Sequence, residues 1–123
     1  MEVVPDDRAL IEDRLHHYAD EDVRFVFTTG GTGMTPDDVT PEATQAVIER
    51  DVPGIAEAMR AESLRHTPMG IISRGASGIR KQTLLVNFPG SPKAVEQLFP
   101  LLAPILEHAE RSMLRTGGRA AGH

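Results

Sequence analysis

Arg24-Phe25-Val26-Phe27-Thr28-Thr29-Gly30-Gly31-Thr32-Gly33 joins a short apolar run to a turn made almost entirely of backbone. An apolar run of this length that stops at glycine has the pattern of a strand buried on both faces, as in a parallel sheet covered by helices. Glycines 30, 31 and 33 permit positive φ angles and let backbone amides come close to an anion. The same pattern also serves as a plain tight connection. It is neither a Walker A loop nor a dinucleotide-binding fingerprint, because Gly-Lys-Ser/Thr and the GxGxxG spacing are both missing.

Ahead of this stretch, Glu2-Val3-Val4-Pro5 reads as the end of a strand. Asp6 or Asp7 can cap a following helix that carries Ile11, Leu15 and Tyr18 at i, i+4 and i+7. Beyond it, Thr40-Pro41 has the signature of a helix start, and that helix is expected to reach about Arg50. Gly54 to about His66 carries a second helical pattern with Ile55, Ala56 and Met59 inward, and Pro68 marks its end. Met69-Gly70-Ile71-Ile72-Ser73 and Thr83-Leu84-Leu85-Val86-Asn87 read as two strands. The polar, glycine-rich connection between them is too short for a helical crossover, so they are expected to pair antiparallel. Ser91-Pro92 opens another helix. Pro100 and Pro104 then interrupt the apolar run, so the last helix is expected from Leu101 to Arg115, burying Leu102, Ile105, Leu106, Ala109 and Met113. The fold class is α/β, three layers with a mixed, mostly parallel sheet. Residues 1–116 are expected to form one domain and 117–123 a flexible tail.

With 123 residues, the chain can bury about two thirds of its unfolded surface without a disulfide or metal staple. No apolar stretch approaches the roughly 18 residues of a membrane span, and the amino terminus is acidic rather than a basic signal sequence. A cytoplasmic setting is expected. The net charge of −5 gives no general reason to expect a nucleic-acid or anionic-membrane partner. The absence of cysteine excludes disulfides, thiolate metal sites and cysteine nucleophiles. His16 and His17 diverge on a helix and the other histidines are isolated, so a histidine metal site is not expected.

Two further elements gather near the glycine loop. Asp38, just ahead of Thr40-Pro41, places a carboxylate at a helix amino terminus, and Asp6 at the end of the preceding strand is expected at the same sheet edge. Carboxylates near bound phosphates call for a bridging cation such as Mg²⁺, although either aspartate could simply cap a helix. Asn87-Phe88-Pro89-Gly90-Ser91-Pro92-Lys93 is another strand-to-helix loop whose amides and Ser91 hydroxyl suit an anion, or whose Gly90 and Pro92 merely shape a turn. Ser73 and Arg74 could contact a ligand, while Arg74, Arg80 and Lys81 could equally be a solvated face.

TTGGTG at 28–33, DVTPEAT at 38–44 and SRGASGIRKQTLLVNFPGSPKAV at 73–95, with Val4-Pro5-Asp6 ahead of them, resemble the molybdopterin-binding domain of the molybdopterin adenylyltransferase family. The resemblance implies Mg²⁺-dependent transfer of AMP from ATP to the terminal phosphate of molybdopterin, with pyrophosphate released, in a homotrimer or hexamer. It implies that Thr29, Gly30, Gly31, Thr32 and Gly33 hold phosphate. Asp6 and Asp38 become the essential acids and the magnesium ligands. Ser73, Asn87, Pro89, Gly90 and Ser91 line the nucleotide and pterin cleft. The alternative is a molybdopterin-binding or scaffold module without transfer. Members of that family begin with a strand containing a Ser-Asp pair and then a helix, which have no counterpart ahead of Met1. A misassigned start is the preferred account of that difference. Such a strand would be central, so its loss is expected to expose apolar edges and cost much of a stability of about 5–15 kcal/mol.

Overall fold

Leu84, Leu85, Val86 and Phe88 are all almost completely buried, which makes Thr83–Phe88 the spine of the molecule. Alternation along a strand sends its side chains to opposite faces. Leu84, Val86 and Phe88 enter one hydrophobic cluster with Ile55, Met59, Leu98 and Leu102, and Leu85 enters another with Ile11, Leu15, Ala43 and Val47. Both faces of the sheet are therefore covered by helices, as the three-layer reading requires.

The computed structural model describes residues 1–114. Its elements run in the order α1 (Arg8–Asp20), β1 (Phe25–Thr29), α2 (Thr40–Val47), β2 (Arg50–Asp51), α3 (Pro53–Leu64), a 3₁₀ helix (Pro68–Ile72), β3 (Ser77–Arg80), β4 (Thr83–Phe88) and α4 (Pro92–Met113). The sheet order is β1-β4-β3-β2. β1 runs parallel to β4, with Phe25 beside Leu84 and Thr29 beside Phe88, and β3 is antiparallel to both β4 and β2. The sheet is mixed, and its parallel part is the β1–β4 pairing. β1 stands at one edge, with Phe25, Val26 and Phe27 half-buried. The tail expected over 117–123 lies outside the described residues.

Several boundaries differ from the sequence expectation. The antiparallel partner of β4 is β3, not the apolar run before it. Thr67 accepts a hydrogen bond from the Met69 amide and Pro68 opens the next turn, so Met69–Ile72 coils into a 3₁₀ helix with Met69, Ile71 and Ile72 exposed. Glu2–Pro5 forms no strand. Glu2 instead pairs with Arg14 at 2.9 Å and accepts a hydrogen bond from the Tyr18 hydroxyl, which draws the segment over α1. Of the two aspartates expected as caps, Asp7 is the one that caps α1, accepting from the Leu10 amide at 3.1 Å. Thr40 is the first helical residue of α2 and makes no side-chain cap, while Pro41 occupies the first turn as expected.

The two prolines do not divide α4. A proline inside a helix removes one amide and crowds the carbonyl four residues earlier. Pro100, Pro104 and the corresponding Glu96 are exposed, so water can take the carbonyls left without an amide partner. Leu98 and Leu102 then set the buried face, with Val95, Leu106 and Met113 packed beside it. Ile105, expected inside, is 43% exposed because it lies about 100° around the helix from Leu106.

Candidate functional site

β1 and β4 run parallel, so the loops after them leave the sheet at the same edge, where ligands gather in open α/β sheets. After β1, Gly30 and Gly31 adopt φ of 88° and 70°, a region costly for other residues. The Gly30 amide donates to the Phe88 carbonyl at 3.0 Å, carrying the pairing one step past the strands. A Cβ on Gly90 would lie 3.2 Å from the Gly30 Cα, so the loop after β1 and the loop after β4 touch backbone to backbone. A Cβ on Gly31 would lie 2.2 Å from the Thr40 Oγ1, and the Thr40 amide donates to the Gly31 carbonyl at 3.2 Å. The glycine loop is thus pressed against both the Pro89-Gly90-Ser91 loop and the start of α2. Ser91 caps α4 through the Ala94 amide.

Asp38 closes the other side of this loop. Its Oδ2 accepts from the Thr35 amide and hydroxyl, each at 2.9 Å, and a Cβ on Gly33 would meet that oxygen at 2.8 Å. The backbone and then the hydroxyl hydrogen bond from Thr35, with Arg74 nearby, hold the Asp38 carboxyl below its ordinary value of 3.8. A depressed carboxyl keeps its favourable contribution above the unfolded value and loses it as pH falls through the folded one. An NMR titration of Asp38 should therefore give a midpoint below 3.8. Thr35→Ala, which removes the hydroxyl donor, should move that midpoint upward. An Asp38 that titrates at its ordinary value in the wild-type chain would contradict this arrangement.

Arg74 is exposed and lines the edge of a cavity, but its guanidinium is engaged within the protein. Its Nε donates to the Gly33 carbonyl and its Nη2 to the Asp38 carbonyl, each at 2.7 Å, while Nη1 pairs with Glu42 in the first turn of α2. Its own amide donates to the Thr32 carbonyl at 2.9 Å. One planar guanidinium thereby ties together the glycine loop, the Asp38 turn and α2, a use suited to its rigid fork of donors. That pairing also holds Glu42 below the usual carboxylate range. Arg80 and Lys81 have structural roles too. Arg80 donates to the Val47 carbonyl at 3.2 Å, and Lys81, in the turn between β3 and β4, pairs with Asp20 at the end of α1.

Asn87 lies under the site, 3% exposed. Its Oδ1 accepts from the Ala76 amide at 2.9 Å, and its Nδ2 donates to the hydroxyls of Thr28 and Thr44 at 2.8 and 3.0 Å. It joins β4, β1, α2 and the segment before β3. Asn87, Pro89 and Ser73 line a narrow cleft with Met59, Arg60 and Gly75. Next to it opens a cavity of about 660 Å³ lined by Arg8, Glu42, Gln45, Arg60, Ser73 and Arg74, among others. Asp6 is exposed just ahead of Arg8, and no hydrogen bond or ion pair among the described residues links it to Asp38 or the glycine loop. Sequence reasoning brought the glycines, Asp38 and Ser73 to this edge. It missed Arg60 and Glu42, whose partners are distant in the chain.

The family described as "Probable molybdopterin binding domain" matches residues 1–108, almost the whole of the described chain. The chain belongs to that family. Among curated members, the molybdopterin adenylyltransferase of Escherichia coli K12 is 47% identical over 96 residues, which are 77% of this chain and 49% of that protein. The Helicobacter pylori 26695 protein of the same name is 42% identical over 108 residues, 87% of this chain and 61% of that one. The molybdenum cofactor synthesis protein cinnamon of Drosophila melanogaster is 42% identical over 108 residues, 18% of its length. This family member thus spans about half the length of the bacterial relatives it matches. Among solved structures, a molybdopterin biosynthesis protein from Mycobacterium abscessus superposes with a TM-score of 0.83 at 41% identity, covering 89% of this chain and 70% of that one. The molybdopterin biosynthesis Mog protein from Mycobacterium ulcerans gives 0.81 at 39% identity, covering 84% and 68%.

Proposed function

We propose that the chain serves molybdenum cofactor biosynthesis by transferring AMP from ATP to the terminal phosphate of molybdopterin, acting in the cytoplasm as a homotrimer or hexamer. The observation that carries this reading is the contact of two glycine loops, at Gly30 and Gly90, with the Asp38 carboxylate set beside Gly33. The names of the bacterial relatives support it. In the transfer, a phosphate oxygen of molybdopterin attacks the α-phosphorus of ATP, and the bond to the β-phosphate oxygen breaks to release pyrophosphate. Phosphoryl-type transfers need little covalent help from a protein, because positioning and charge stabilisation carry most of the catalysis. The amides of Gly31, Thr32 and Gly33, with Thr29, hold phosphate at one loop, while Gly30, whose amide is bonded to Phe88, shapes its turn. Pro89, Gly90 and Ser91, with Ser73, line the other wall above Asn87.

Magnesium is usually bound by one or two carboxylates together with substrate phosphates rather than by an all-protein cage. That fits a site where the Thr35 bonds engage Oδ2 of Asp38 but not Oδ1. Asp38, set beside Gly33, is the residue that would hold it, with Asp6 as the second carboxylate brought in from the exposed segment ahead of α1. When bound, magnesium offsets the negative charge of the phosphates.

The deciding experiment is Mg²⁺-dependent release of pyrophosphate from ATP in the presence of molybdopterin, using the 123-residue chain. Turnover that needs both substrates and the metal is the expected result. A second reading, a molybdopterin-binding module without transfer, is favoured by the family description, which names binding alone. Tight molybdopterin binding without pyrophosphate release would select it.

A further inference from the structure

The geometry points to a phosphate subsite around Arg60, in the cavity between α2, α3 and the 73–76 segment. Arg60 is half-buried on α3, where its Nη1 donates to the Gly75 carbonyl at 3.0 Å. Its Nε and Nη2 have no hydrogen-bond partner, and no carboxylate pairs with it among the described residues. Most other cations are engaged. Arg8, Arg14, Arg24, Arg74 and Lys81 each have an acidic partner. Arg50, Arg80 and Lys93 have none among the described residues, but they line neither cavity.

Arg60 lines both the 660 Å³ cavity and the narrow cleft that reaches Asn87 and Pro89. Two other donors stand on the same wall. The Ser73 hydroxyl and the Gly75 amide have no hydrogen-bond partner among the described residues, and both residues line both openings. The carboxylate lining that cavity, Glu42, is already paired with Arg74. A guanidinium, a hydroxyl and a backbone amide around one opening suit the several acceptor oxygens of a phosphate better than any neutral group. The Arg60 bond to Gly75 fixes the guanidinium on the 73–76 segment and leaves its remaining edge for the ligand. The subsite lies across the Arg74 clamp from the glycine loop, so one phosphorylated ligand, or two held side by side, can be gripped at both ends.

This subsite rests on the transferase reading for the identity of its ligand, but its occupancy can be tested without turnover. Pyrophosphate is titrated into the full chain and followed by amide NMR shifts. The expected result is a shift of the Ser73 and Gly75 amides, with affinity weakened roughly ten- to hundredfold by Arg60→Ala. Arg60→Lys should recover part of that loss, and Arg50→Ala, an equal change of charge on β2, should change affinity less than twofold. Thermal melts of each variant separate lost binding from lost fold, and Arg60→Lys supplies the comparison if Arg60→Ala melts early. Equal affinity in the wild type and both Arg60 variants would overturn the proposal, as would an equal loss in Arg50→Ala. Repeating the titration with ATP and with molybdopterin identifies which of them supplies the phosphate. Pyrophosphate release by the wild-type chain is measured in parallel. Arg60-dependent binding without turnover keeps the subsite and rejects the transferase reading, while turnover with binding indifferent to Arg60 does the reverse.

Discussion

Asp38→Asn is expected to lower the rate of pyrophosphate release by at least about a hundredfold, the scale seen when one preorganised charge-stabilising group is lost from a site. The fold should survive. Asparagine keeps an oxygen that can accept the two Thr35 hydrogen bonds, and the Arg74 contacts in this turn go to the Asp38 carbonyl and Glu42 rather than to the Asp38 side chain. What disappears is the negative charge beside Gly33 that Mg²⁺ would require. Pyrophosphate release and a circular-dichroism melt of the same preparation test both halves of the statement. Activity within a fewfold of wild type would remove Asp38 from the chemistry. A large drop in melting temperature would make its role structural instead.

The largest stability effect is expected at Asn87. Asn87→Leu preserves approximate volume but removes the acceptor of the buried Ala76 amide and both donors to Thr28 and Thr44. The threonine hydroxyls can rotate towards other acceptors, whereas the Ala76 amide cannot leave its place ahead of β3. A buried polar group left unpaired costs about 1–3 kcal/mol, so a total loss of about 3 kcal/mol is expected. For a domain of this size that corresponds to a fall in melting temperature of roughly 10 °C or more. A change of only a degree or two would mean that the surrounding groups find new partners easily. Asn87→Ala opens a void as well and should be no milder.

The parts of the fold that were legible in the sequence are those whose signal is local. The run Phe25–Thr29 ending at glycine, the helix over Pro53–Leu64 and the Ser91 cap all reveal themselves within a few residues. β3 does not. Its sequence, Ser77-Gly78-Ile79-Arg80, has a single large apolar residue, because a Cβ at Gly78 would fall 2.6 Å from Ile48 and 2.8 Å from the Arg50 carbonyl. The space that a strand residue would fill is taken by a segment some thirty positions earlier. Met69–Ser73 carried the stronger strand pattern, since a short apolar run does not by itself separate strand from helix.

The site divides in the same way. Gly30, Gly31 and Asp38 were legible because the glycines set the course of the loop's own backbone and Asp38 follows the last loop glycine, Gly33, by only five residues. Arg74 and Glu42 were not, because their roles come from an ion pair between residues 32 positions apart. Asn87 was expected at the ligand cleft, but its side-chain amide is engaged within the protein, which no spacing along the chain discloses.

The backbone contact between Gly30 and Gly90 bears on cooperativity. With no side chain between them, the two loops pack backbone against backbone, so a ligand that displaces one would press on its neighbour. Under the transferase reading, two substrates bound on either side of that contact would be expected to associate non-independently. The free-energy coupling between them is reciprocal, each altering the affinity of the other by the same factor. A side chain at either glycine would break this linkage even where each ligand alone could still bind.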